Sequence, residues 1–95
     1  MAKPLKKYLI EREIPGVDKL TAEQRKAAAA TSNAALAQLG DRVKWVESFL
    51  VTDKTFCVYL AEDEDVIREH ARLSGFPATR ITEIAAGLSP ASAQG

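Results

Sequence analysis

Arg42-Val43-Lys44-Trp45-Val46-Glu47-Ser48-Phe49-Leu50-Val51-Thr52-Asp53-Lys54-Thr55-Phe56-Cys57-Val58-Tyr59-Leu60-Ala61 is the stretch on which the fold turns. From Arg42 to Val51 the residues alternate: Val43, Trp45, Glu47, Phe49 and Val51 point one way, and Lys44, Val46, Ser48 and Leu50 the other. Both faces of that strand carry apolar groups. Thr52-Asp53-Lys54 is short and polar enough for a tight connection, and Thr55 to Ala61 is rich in aromatic and β-branched residues. The pair is predicted to be a hairpin.

A helix is expected on each side of that hairpin. Upstream, Thr21 precedes Gln24 by three positions, the spacing of a capping box, and a helix should run from about Ala22 to Leu39 and end at Gly40. Its Ala27 to Ala30 run has little bulk, which suits close approach to a sheet. Downstream, Asp63 is placed to cap a second helix from Glu64 to Ser74, with Glu64 and Asp65 in its first turn, Arg72 near its end, and Gly75 and Pro77 to stop it. Lys6 to Ile14, closed by Pro15-Gly16, has the pattern of a first strand, and Thr79 to Ala85 that of a last. The order strand, helix, strand, strand, helix, strand predicts a ferredoxin-like α+β domain, βαββαβ, with a four-stranded antiparallel sheet and two helices on one face. Right-handed crossovers put the first and third strands in the centre, the second beside the third and the fourth beside the first. Residues 1–86 form the expected single domain. Residues 87–95 offer only Leu88 to bury and are expected to be a flexible tail.

Thirteen basic and thirteen acidic residues cancel in this chain of 95, which argues against nucleic acid and anionic membranes as partners. A lone cysteine forms no internal disulfide, and no apolar run is long enough to span a bilayer. The cytoplasm is the expected location. A domain this small gains stability by association, and an apolar sheet face points to a homodimer.

The chemistry-bearing residues are few. His70 is the single histidine, and on the second helix Val66, His70 and Leu73 share one stripe, so the imidazole is expected to face the sheet or its rim. On the first strand Leu9, Glu11 and Glu13 lie on one side, and Tyr8, Ile10, Arg12 and Ile14 on the other. If Phe56, Val58 and Leu60 pack under the helices, the opposite face gathers Glu11, Glu13, Trp45, Cys57 and Tyr59, with Glu47 and Phe49. Glu11, Glu13, Trp45, Cys57, Tyr59 and His70 are therefore the candidate ligand-binding residues. His70 as acid or base, with Glu11 and Tyr59 as polarising groups, forms the catalytic alternative. His70, Cys57 and Glu11 form a weak metal set, since imidazole and thiolate suit nickel or zinc but no two ligands sit one helical turn apart.

Several segments together resemble a known family: Tyr8-Leu9-Ile10-Glu11-Arg12-Glu13-Ile14-Pro15-Gly16, Trp45 through Ser48, Asp53 through Tyr59, and Arg68-Glu69-His70-Ala71 with Gly75-Phe76-Pro77-Ala78. These are similar to small bacterial ferredoxin-like proteins of unknown function, some of them labelled nickel-binding. The resemblance spans about Tyr8 to Ile84. It implies an α+β domain that dimerises and has affinity for a divalent metal. The nickel-labelled members look histidine-rich near the first strand, where this chain has Glu11, Arg12 and Glu13, so weak binding of nickel or another divalent ion is expected. Two functions follow from the sequence: a small soluble domain that binds a ligand or partner, or a cofactor-independent enzyme of isomerase or monooxygenase type. A concave pocket joining His70 to Glu11, Cys57 or Tyr59 separates the second from the first.

Overall fold

A computed structural model describes residues 3–94. Four strands, β1 (Lys6–Glu13), β2 (Val43–Val51), β3 (Lys54–Ala61) and β4 (Arg80–Glu83), form one sheet in the order β2-β3-β1-β4, and every neighbouring pair is antiparallel. Helix α1 (Ala22–Leu39) connects β1 to β2, and α2 (Glu64–Ser74) connects β3 to β4. This is the ferredoxin-like arrangement expected from the sequence.

The helix ends follow from the residues that flank them. Thr21 Oγ1 accepts from the Gln24 amide at 3.1 Å, and Gln24 Oε1 accepts from the Thr21 amide at 2.9 Å, which closes the capping box. Asp63 Oδ1 accepts from the Val66 amide at 3.0 Å, and Gly75, at φ 81°, ends α2 in the left-handed conformation that glycine adopts without strain. At the hairpin, Val51 and Lys54 pair across Thr52-Asp53, so the loop has two residues. Asp53 also binds this loop to the end of β1: its carbonyl accepts from the Ile14 amide at 3.0 Å and its Oδ1 from the Gly16 amide at 2.8 Å.

Tyr8, Ile10, Leu39, Val43, Cys57, Tyr59, Ala61, Val66 and Ile67 form the buried core between the helices and one face of the sheet. Phe56, Val58 and Leu60 are not under the helices, which reverses the facing from which the candidate site had been assembled. The reason lies in β1. On β3 both faces are apolar and neither is excluded, whereas on β1 one face carries Glu11 and Glu13 and the other Tyr8 and Ile10. Pairing of Tyr8 with Tyr59 and Ile10 with Cys57 then carries the β1 choice across to β3.

Strict alternation also fails in β2. Trp45 pairs with Tyr59, but Glu47 pairs with Val58, so Val46 is the extra residue of a β-bulge. Beyond it the facing switches: Ser48 and Leu50 join Trp45 on the helix side, while Glu47, Phe49 and Val51 share the open face with Phe56 and Val58. At the far end Pro90–Gln94 winds into a short, exposed 3-10 helix where the sequence reading had only a flexible tail. Leu88 is 93% exposed and packs on nothing in the core.

Candidate functional site

The helices do not cover the sheet evenly. In α1 the buried residues are Ser32, Ala35 and Leu39, all in its second half, while Ala28 and Ala29 in the first half are only half-buried. The alanines expected to bring helix and sheet together instead leave room between them. The space is a cleft of about 470 Å³, within the range of small-molecule pockets. Ile14, Val17 and Leu20 line it from the β1–α1 connection, Ala28 and Ala29 from α1, Trp45 and Leu50 from β2, and Phe76 from the segment after α2. Its polar groups are Arg12, Gln24, Arg25, Ser32, Ser48, Thr55, Cys57 and Tyr59. No carboxylate among the described residues lines it.

The bulge at Val46 builds part of this wall. Because it turns Ser48 to the same side as Trp45, the indole Nε1–H donates to Ser48 Oγ at 2.8 Å, which fixes the ring. Trp45 and Tyr59 stack with centroids 6.5 Å apart and an interplanar angle of 15°. Cys57 and Thr55 are in hydrogen-bonding contact, Sγ to Oγ1, at 3.5 Å.

Arg12 is 3% exposed. Its Nη1 donates to the carbonyls of Phe76 at 3.1 Å and Pro77 at 3.2 Å, so the side chain holds the post-α2 loop against the sheet. The guanidinium carbon lies 5.7 Å from the centroid of the Tyr59 ring, a cation–π distance. Nη2, fully buried, has no hydrogen-bond partner. Burial pushes the Tyr59 phenol above its ordinary range, against hydrogen bonding to Ser32 and the Arg12 charge, so the ring carries a neutral hydroxyl.

His70 lies behind the cleft and does not line it. It is 1% exposed, its ring centroid is 5.4 Å from that of Tyr59, and Nε2 is 3.2 Å from Ser32 Oγ. Nδ1 has no partner. A buried lone pair costs less than a buried N–H without an acceptor, which favours the tautomer in which Nε2–H donates to Ser32. Burial first, and the Arg12 charge second, hold the imidazole below its ordinary pKa.

The candidate residues from the sequence thus separate into two groups. Trp45, Cys57 and Tyr59 share the cleft, with His70 one layer behind them. Glu11 and Glu13 do not join them, because alternation along β1 sends Arg12 to the cleft and its two acidic neighbours away from it. Glu11 instead pairs with Lys54 at 3.6 Å beside Phe56, and Glu13 is exposed, its amide donating to Thr79 Oγ1 at 3.0 Å. His70 is consequently not joined to Glu11 around a pocket, and the His70, Cys57 and Glu11 metal set is divided by the sheet. No group of three or more His, Cys, Asp or Glu residues placed to hold one ion occurs among the described residues. Sequence reasoning missed Arg12 as part of the site, and for Ser32 it put solvent exposure ahead of the pocket contact that the structure shows. For Arg12 a signal existed: it is in phase with Tyr8 and Ile10, so burying those two residues buries it too.

A family model described as "Nickel responsive protein SCO4226-like" matches residues 8–84, the span over which the sequence motifs carried their resemblance. The chain belongs to the SCO4226-like family. Among solved structures it is similar to the crystal structure of SCO4226 from Streptomyces coelicolor A3(2), at a TM-score of 0.70 and 14% identity, over 86% of this chain and 99% of that one. At that identity the likeness establishes the shared SCO4226-like fold. No curated protein sequence matches the chain.

Proposed function

We propose that this member of the family is a small-molecule-binding domain whose ligand occupies the cleft between α1 and the sheet. The observation that carries this reading is the cleft: apolar walls, a stacked aromatic pair, and polar groups contributed by both α1 and the sheet, the composition expected of a ligand site rather than a packing defect. The described lining of the cleft contains neither a carboxylate nor the imidazole on which the enzymatic alternative relied, since His70 lies behind the wall. Nickel responsiveness is the family's description, and the donors here do not fit one ion within one chain, so the reading routes nothing through a metal. The open sheet face, with Leu9, Phe49, Phe56, Val58 and Leu60, supports pairing with a second copy of the chain. A reducing compartment such as the cytoplasm suits Cys57, a buried free thiol.

Benzyl alcohol, a neutral apolar probe, tests the cleft. Amide and indole N–H resonances of Ala28, Ser32, Trp45 and Tyr59 should shift on titration, and Ala28→Leu, which fills the space from α1, should suppress the shifts while leaving the remaining spectrum unchanged. Shifts confined to the open sheet face, or none at millimolar probe, would overturn the reading.

A further inference from the structure

We infer that the ligand class is a small aromatic or branched aliphatic monocarboxylate, its carboxylate held by Arg12 and its apolar body lying between Trp45 and the alanines of α1. This rests on the reading of the cleft as a ligand site and adds the charge that the site selects.

A guanidinium is a cation, so the burial of Arg12 takes a charge out of water. Such a group normally meets a carboxylate. Here no ion pair among the described residues includes it; its contacts are two backbone carbonyls at Nη1 and the ring and hydroxyl of Tyr59. Carbonyls, a neutral hydroxyl and a ring face offer only partial charges, and Nη2 has no hydrogen-bond partner. No carboxylate among the described residues supplies the missing acceptor, since Glu11 is directed to the other face and the described wall contains none. It can come from a ligand in the cleft that displaces the atoms covering Nη2, since Arg12 is part of the cleft wall.

The valence follows from the same count. One buried guanidinium balances one negative charge; Arg25, the other cation on the wall, is exposed and donates Nη1 to the Leu20 carbonyl at 3.0 Å, so water screens its charge. A phosphate dianion would leave a net charge against walls made of Ala28, Leu50 and Trp45, whereas a carboxylate leaves none and is matched by the guanidinium geometry. Neutral hydroxyls on Ser32 and Tyr59 also line the cleft and offer further hydrogen bonds without competing as anions.

The test compares 3-phenylpropionate with its neutral isostere 3-phenylpropionamide, by calorimetry and by the Trp45 and Arg12 side-chain N–H resonances. On the wild type the acid should bind at least about tenfold more tightly than the amide, as a charge-assisted hydrogen bond to a buried cation requires. In Arg12→Gln the preference should fall below about twofold, the apolar contacts being retained. Equal affinities in the wild type would overturn the carboxylate assignment and leave the cleft reading standing, and this arm needs no variant to fold. Binding of neither probe, nor of benzyl alcohol, would overturn both. Preferential binding of the acid without movement of the Arg12 resonances would place the anion elsewhere and overturn the assignment.

Discussion

His70 is neutral in the folded chain because burial and the neighbouring Arg12 charge both disfavour the imidazolium. The unfolded chain takes up that proton first, so stability is full above about pH 6.5 and declines as the pH falls toward the lowered folded value, by up to about 1.4 kcal/mol per pH unit. Asp63 and Glu69, held low by the Val66 amide and by Arg72 respectively, titrate in a more acidic range and leave this window to His70. Urea unfolding of wild type and His70→Gln between pH 7.5 and 5.5 should show the slope in the first and not in the second; parallel curves would mean that the proton is taken up elsewhere. How far the site was legible also depends on single residues. Trp45, Cys57 and Tyr59 could be selected from composition and alternation, because aromatic and thiol side chains stand out on a strand. Arg12 could not be recognised alone, because a charged residue in a strand is solvated by default; its one signal in the sequence is its phase with Tyr8 and Ile10.

Elements with explicit punctuation were readable closely. Thr21, Gln24 and Gly40 bound α1, and Asp63 and Gly75 bound α2, through local hydrogen bonds that depend on no distant part of the chain. Thr21→Ala should lower unfolding stability by about 1 kcal/mol and Thr21→Ser by much less, measured by urea denaturation. The first turn of α1 lies at the cleft, so faster amide exchange over residues 23–26 should accompany the alanine change. What was not legible in the elements is how they sit. Whether an alanine run closes on a sheet or stands off it depends on where Ser32, Ala35 and Leu39 anchor the helix, and whether β2 alternates throughout depends on its partner strand.

At the scale of the molecule the sheet has two different sides, one facing the helices and the cleft, the other presenting Leu9, Phe49, Phe56, Val58 and Leu60. Phe49 is 52% exposed, an amount of aromatic surface that association would remove from water. Sedimentation at micromolar concentration should give a dimer for the wild type and a monomer for Phe49→Lys with unchanged circular dichroism; a monomeric wild type would refute the pairing. Trp45 and Tyr59, expected on this side from the sequence, lie on the other, so their fluorescence should report the cleft and remain indifferent to the dimer. The facing itself came from β1, the one strand where charge made the choice unambiguous. The bulge at Val46 has a consequence for descent within the family. Losing that residue would close the ladder and leave Trp45, Ser48 and Leu50 facing where they now face, so a lineage can gain or drop one residue there without rebuilding its binding wall. Relatives aligned without a gap at this point would have the lining and the outer surface of β2 exchanged on paper, although their molecules agree.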